Sequence, residues 1–162
     1  VRRMHRFYRY VTERFGLAPR CHLFGFSRGG LYAFNFALSY PEYVASVYLD
    51  APVLDLKSWP PQGSTEQAQM FAEYSLTPET LAAFRDNPLD NLAEFFALKL
   101  PLLVIAGDAD ETVPLSENAG VLLDYCRREG IPVESVVKPG CGHHPHSLED
   151  VGMIVDFVKS HS

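Results

Sequence analysis

Four short apolar runs recur along the chain: Cys21-His22-Leu23-Phe24, Val44 to Leu49, Pro101-Leu102-Leu103-Val104-Ile105-Ala106, and Val133-Glu134-Ser135-Val136-Val137. Their length suits strands of a parallel sheet, and the Pro101 run, apolar throughout, predicts one buried on both faces. Between the runs the apolar spacing changes to the helical period. Met4, Phe7, Tyr8, Val11 and Phe15 fall at i, i+3, i+4, i+7 and i+11. That spacing predicts an amphipathic helix with these residues as its buried stripe, terminated by Gly16. Leu31 to Leu38 read as a buried helix ending near Pro41, and Ser116 to Glu129 predict another that stops at Gly130. Ser147-Leu148-Glu149-Asp150 reads as an N-cap with an acidic first turn, opening the last helix. Strands alternating with helices predict an α/β fold, a mostly parallel sheet flanked by helices, in one domain over residues 1–162.

A long segment from Pro52 to Leu98 interrupts the alternation. Ser64-Thr65-Glu66-Gln67 resembles a capping box, and Thr77-Pro78-Glu79 a helix start with proline at its first position. Trp59, Phe71, Tyr74, Phe84, Phe95 and Phe96 supply more aromatic surface than a short connector needs. Two arrangements fit. One is a small helical cap over about residues 52–98, between the second and third strands, whose aromatics shape a pocket. The other packs these helices on the sheet, with the aromatics as ordinary core.

The candidate chemistry begins where the first strand gives way to a helix. Gly25-Phe26-Ser27-Arg28-Gly29 is a G-x-S-x-G at a strand-to-helix junction, the pattern of a nucleophile elbow. Its glycines are expected where strand and helix backbones leave no room for Cβ atoms. The helix start aims free N–H groups at an oxyanion formed beside Ser27. The motif arises by chance in roughly one chain in twenty of this length, so it decides nothing alone.

Two further loops add to it. The third apolar run ends in Gly107-Asp108-Ala109-Asp110-Glu111-Thr112-Val113-Pro114, and the fourth leads into Pro139-Gly140-Cys141-Gly142-His143-His144-Pro145-His146. Serine, acid and histidine thus occur in the order a Ser–Asp–His hydrolase of this fold uses, each after a strand. Asp50, in Tyr48-Leu49-Asp50-Ala51-Pro52, also ends a strand and is the alternative acid, within a less specific pattern. Asp108 and Glu111 read as solvated carboxylates or turn caps, and His144 and His146 as lining the histidine loop. His22 reads as a hydrogen-bonded core histidine, while His5 and His161 carry no signal. The three loop histidines with Asp108 and Asp110 raise the question of zinc. Their spacing fits no helical ligand pattern and no cysteine pair accompanies them, so no metal is expected.

With these residues the chain resembles the C-terminal two-thirds of an α/β-hydrolase of the esterase and dienelactone-hydrolase-like kind, over nearly all 162 residues. In such proteins the acid lies three residues after a strand-ending glycine in G-x-x-D-x-x-V-P, here Gly107, Asp110, Val113 and Pro114. The base follows glycine in G-x-G-H, here Gly140, Cys141, Gly142 and His143. The resemblance implies a serine hydrolase of carboxylic esters, with a small-molecule ester as partner and no cofactor. Ser27 would attack the acyl carbon, His143 would carry the proton, Asp110 would hold the imidazole, and the Arg28 N–H would bind the oxyanion. It also implies further strands upstream and a second oxyanion donor from a loop among them. Because the chain opens at Val1 inside the helix before the elbow, it is expected to be a fragment. The Cys21–Phe26 strand would then be an unprotected sheet edge through which a homodimer forms. Two other readings fit the same motifs. A prolyl-oligopeptidase-like peptidase shares the elbow, the acid loop and the histidine order. A non-catalytic hydrolase-like binding module would fit the missing upstream half.

Composition narrows the rest. A net charge of −6 without a basic aromatic stripe argues against nucleic acid. No apolar run approaches membrane-spanning length, and no signal-peptide core is visible. Arg2, Arg3, Arg6, Arg9, Arg14 and Arg20 read as a solvated helix face. Cys21, Cys126 and Cys141 are odd in number and scattered, which favours a reduced, cytoplasmic setting.

Overall fold

The computed structural model describes residues 1–162 as a four-stranded, all-parallel sheet in the order β1-β2-β3-β4. The strands are β1 (Cys21–Phe26), β2 (Val44–Asp50), β3 (Leu102–Gly107) and β4 (Glu134–Lys138). The helices are α1 (Arg2–Phe15), α2 (Gly29–Ser39), α3 (Thr65–Tyr74), α4 (Pro78–Leu81), α5 (Leu92–Ala97), α6 (Ala119–Glu129) and α7 (Gly152–Ser160). The two central strands, β2 and β3, are buried along their whole length, as continuous apolar runs require. Their period-two alternation divides the core. Val47, Leu49, Val104 and Ala106 face a cluster built on Phe34, Phe36 and Leu122, whereas Tyr48, Leu103 and Ile105 meet Ile154 and Phe157 of α7.

The register also sets the site. Phe26 pairs with Asp50, Asp50 with Ile105, and Gly107 with Lys138, so all four strands finish along one rim. The loops after them carry Ser27, Ala51, Asp110 and His143. A ligand site of an open α/β sheet lies at this rim.

Four local expectations need correction. The α1 stripe is only partly buried: Phe7 is 67% and Phe15 63% exposed. Met4 and Tyr8 alone of the stripe reach the main core, and Phe7 and Val11 line an open apolar groove beside β1. His5, which carries no sequence signal, helps hold α1 by stacking on Tyr40 at 4.0 Å and on Tyr43 at 5.4 Å. The last helix starts at Gly152 rather than after Ser147, because Ser147 sits at φ 70° with its N–H turned to Asp50. Asp150 caps that helix instead, its Oδ1 accepting the Gly152 N–H at 2.8 Å. The Ser116–Glu129 helix is split at Asn118 into a short turn and α6, and Gly130 ends α6 in the left-handed region as expected.

In the segment between β2 and β3 the aromatics divide between two cores. Phe95 is fully buried and stacks on Phe34 at 4.2 Å, and Phe96 packs on Tyr125, so both belong to the main core. Trp59, Phe71 and Phe84 pack on a separate cluster of Leu31, Val53, Leu56, Met70 and Val113. Ser64 caps α3 by accepting the Gln67 N–H. The Gln67 side chain reaches back one residue further than a capping box, to the Gly63 N–H.

Two buried amides hold this segment, one within it and one from the start of α6. Asn87 Oδ1 accepts the Leu56 N–H at 2.9 Å. Asn118 Oδ1 accepts the Leu54 and Asp55 N–H groups at 2.8 and 3.2 Å, and its Nδ2 donates to Ser58 Oγ at 3.0 Å. Truncating Asn118 strands the fully buried Leu54 N–H without a partner. Asn118→Ala is therefore expected to lower stability by about 2–3 kcal/mol, read as a fall in denaturant midpoint with unchanged slope. A loss below about 0.5 kcal/mol would show that the segment is held by its apolar contacts instead.

Candidate active site

Ser27 stands at the turn between β1 and α2 with φ 50°, a left-handed conformation that costs a non-glycine residue about 1–2 kcal/mol. Three backbone hydrogen bonds offset that cost. The Ser27 N–H donates to the Asp50 carbonyl at 2.9 Å, and the Ser27 carbonyl accepts the Gly30 and Val53 N–H groups at 2.9 Å. At about 1 kcal/mol each they outweigh the strain. Of the motif's two glycines, only the first is required by close packing. A Cβ on Gly25 would meet Ala33 Cβ at 2.9 Å, and one on Gly30 would meet Pro52 Cβ at 2.5 Å. Gly29, the second glycine of G-x-S-x-G, has open space around it. Close packing therefore falls on Gly25 and Gly30.

The three residues of the sequence motifs form one hydrogen-bonded line. His143 Nε2 lies 2.9 Å from Ser27 Oγ, and His143 Nδ1 lies 2.7 Å from Asp110 Oδ2. Asp110 is buried, and its other oxygen accepts the Thr112 and Val113 N–H groups at 2.8 Å. That turn explains the acid-loop spacing: Val113 is buried behind the carboxylate while its N–H satisfies it. With Oδ2 accepting from Nδ1–H, Nε2 is left as the acceptor for the serine hydroxyl. The Arg28 N–H, immediately before α2, has no partner within the protein. It stands at the positive end of that helix, where a developing oxyanion is stabilised.

Asp50, the alternative acid, is buried in a different role. Its carboxylate accepts the Tyr48 hydroxyl at 2.5 Å, the Ser147 N–H at 2.5 Å and His146 Nδ1 at 3.1 Å. Burial first, then this carboxylate, pushes the Tyr48 hydroxyl well above its usual pKa. Asp50 thus ties the histidine loop to β2. Asp108 ties it to β3: its Oδ1 accepts the Gly140 N–H at 2.6 Å, while Ala109 N–H donates to the Cys141 carbonyl. Lys138 Nζ completes the clamp on the Pro145 and Ser147 carbonyls at 2.7 and 3.1 Å. The sequence marks none of these anchors beyond their position at strand ends. His144 and His146 lie against His143, with ring centroids 4.9 and 5.1 Å from it. His22 shares a hydrogen bond with Ser46 Oγ at 2.8 Å and desolvation lowers its pKa, but it is half-buried on the edge strand β1 rather than in the core.

A groove of about 620 Å³ adjoins the elbow, bounded by Arg28, Leu31, Trp59 and Met70 with the carboxylates of Glu66 and Glu73. Arg2 and Arg3 line it as well, so the groove carries both signs of charge beside an apolar wall, and Arg28 places it next to Ser27.

Residues 7–162 match the prolyl oligopeptidase family. The chain belongs to that family. Its fold is that of the α/β-hydrolases. A puromycin-hydrolyzing peptidase from Mycobacterium tuberculosis superposes with a TM-score of 0.67 at 16% identity, over 85% of this chain and 20% of that one. Dipeptidyl peptidase 4 from Porphyromonas gingivalis gives 0.59 at 17%, over 86% and 18%. S-formylglutathione hydrolase (FrmB) from Staphylococcus aureus gives 0.63 at 20%, over 96% and 59%. The chain thus spans about a fifth of each peptidase and about three-fifths of the esterase-sized hydrolase. No curated protein matches it, and no helix is long and apolar enough to cross a membrane.

The two candidate acids of this prolyl oligopeptidase family chain separate by substitution. Reaction of Ser27 with a fluorophosphonate probe is expected to slow by about three to four orders of magnitude in Asp110→Asn, which leaves the imidazole in the wrong tautomer. In Asp50→Asn it is expected to slow by about tenfold or less, through a loosened loop. The reverse order would exchange the roles of the two carboxylates.

Proposed function

We propose that this chain carries the catalytic apparatus of a serine hydrolase that cleaves carboxylic esters through an acyl-enzyme. The observation behind the proposal is the continuous line from Ser27 Oγ through His143 to the buried Asp110. His143 Nε2 takes the hydroxyl proton as Ser27 Oγ attacks the acyl carbon, and Asp110 stabilises the imidazolium that forms. The Arg28 N–H stabilises the tetrahedral oxyanion. His143 then returns the proton to the leaving alcohol, whose bond to the acyl carbon breaks. Water, deprotonated by the same nitrogen, hydrolyses the acyl-enzyme and regenerates Ser27. Esters are the class that places fewest conditions on the site. An alcohol leaves more readily than an amine, so an arrangement able to acylate from an amide also acylates from an ester.

A second reading is a serine peptidase, favoured by the family to which the chain belongs.

Turnover of short acyl p-nitrophenyl esters against aminoacyl p-nitroanilides separates the two. Ester turnover is expected, reduced by about three orders of magnitude or more in Ser27→Ala. Preferred turnover of anilides would move the assignment to the peptidase. Ester turnover that survives Ser27→Ala would end the proposal altogether.

A further inference from the structure

The loop His143-His144-Pro145-His146 brings three imidazoles together, although its spacing matches no helical ligand motif. One ring nitrogen from each lies within 4.8 Å of the others. The rings stand edge to face at 75–77°, with centroids 4.7–5.1 Å apart, so none covers another. Two of the three are held by buried carboxylates: Asp110 occupies Nδ1 of His143, and Asp50 occupies Nδ1 of His146. In both, Nε2 is left free of the carboxylate. His146 Nε2 and both nitrogens of the exposed His144 have no partner in the protein, and His143 Nε2 is engaged by Ser27 Oγ.

We infer that this triangle is a binding site for zinc, and that zinc and the serine hydroxyl compete for the same nitrogen of His143. A carboxylate on one imidazole nitrogen fixes the ring and raises the basicity of the other, which is how histidine ligands to zinc are commonly supported. Here two independent buried carboxylates do so side by side. Three neutral nitrogen donors suit zinc better than magnesium or calcium, which take oxygen ligands. At a zinc–nitrogen distance of about 2.0–2.1 Å, tetrahedral donors stand about 3.4 Å apart, so nitrogens within 4.8 Å of one another must close by up to about 1.4 Å. His144 is exposed and unpartnered, which leaves it free to make most of that movement. Water fills the fourth position. Once zinc holds His143 Nε2, that nitrogen no longer accepts the Ser27 proton, so the ion switches off the base. The binding site stands on geometry alone, whereas its inhibitory effect rests on the hydrolase reading above.

The two are read separately. Metal-free protein is titrated with zinc against a chromogenic zinc indicator, which reports binding without any turnover. One zinc per chain at micromolar affinity is expected, weakened about tenfold or more in His144→Ala and again in His146→Ala. Because His144 is exposed and makes no hydrogen bond, His144→Ala tests the site in a folded protein. Zinc is also expected to slow fluorophosphonate labelling of Ser27, with recovery on addition of a chelator. The His144→Ala, His146→Ala double variant should be labelled at a rate that zinc does not change. Failure of the wild-type chain to take zinc from the indicator, or equal affinity in His144→Ala, would overturn the site. Zinc bound with no effect on labelling would overturn the competition at His143. Metal-free protein that is never labelled would count against the hydrolase reading and leave the zinc titration standing.

Discussion

Asp50 is the point through which the rim of the sheet is held together. Its carbonyl receives the N–H of Ser27, and its carboxylate receives Tyr48, His146 and Ser147. One residue therefore fixes both the strained turn that presents the hydroxyl and the loop that presents the imidazole. A carboxylate this deeply buried is costly unless its lone pairs are met, and three donors meet them. Removing the acceptor altogether would leave the buried Tyr48 hydroxyl and two half-buried donors unpaired at once.

Around that anchor the geometry follows from topology. Four parallel strands in sequential order end along one rim, so each loop after a strand contributes to one site. The second layer of contacts runs between loops. Asp108 and the Cys141 carbonyl join the acid loop to the histidine loop, and Lys138 closes the latter on itself. The relay Ser27–His143–Asp110 is rigid because its supports belong to neighbouring strands.

The loop that positions a proton acceptor also gathers metal donors. Two carboxylate–imidazole pairs, Asp110–His143 and Asp50–His146, lie side by side with Nδ1 tied in both, while Nε2 of His143 meets Ser27 Oγ. Membership of the prolyl oligopeptidase family is shown by the match over residues 7–162, while the likeness to S-formylglutathione hydrolase bears on the fold. The groove at Arg28 adjoins Ser27 and mixes an apolar wall with arginine and glutamate side chains.

Much of this was written in short-range patterns. Strand and helix periods placed all four strands within a residue or two, and Gly16 and Gly130 marked helix ends because only a left-handed residue closes those turns cheaply. The spacing in G-x-x-D-x-x-V-P singled out Asp110 because a local turn of N–H groups holds its carboxylate. Residues whose role depends on distant partners were not visible in that way. Asp50 looked like a second acid, Gly29 like a packing glycine and Ser147 like a helix cap, since each had a plausible local meaning. Their actual neighbours lie in other loops: Ser147 is 97 positions from Asp50, and Leu54 is 64 from Asn118. Local chemistry selects conformations of a few residues, but only the closing of the sheet brings those loops within reach of one another.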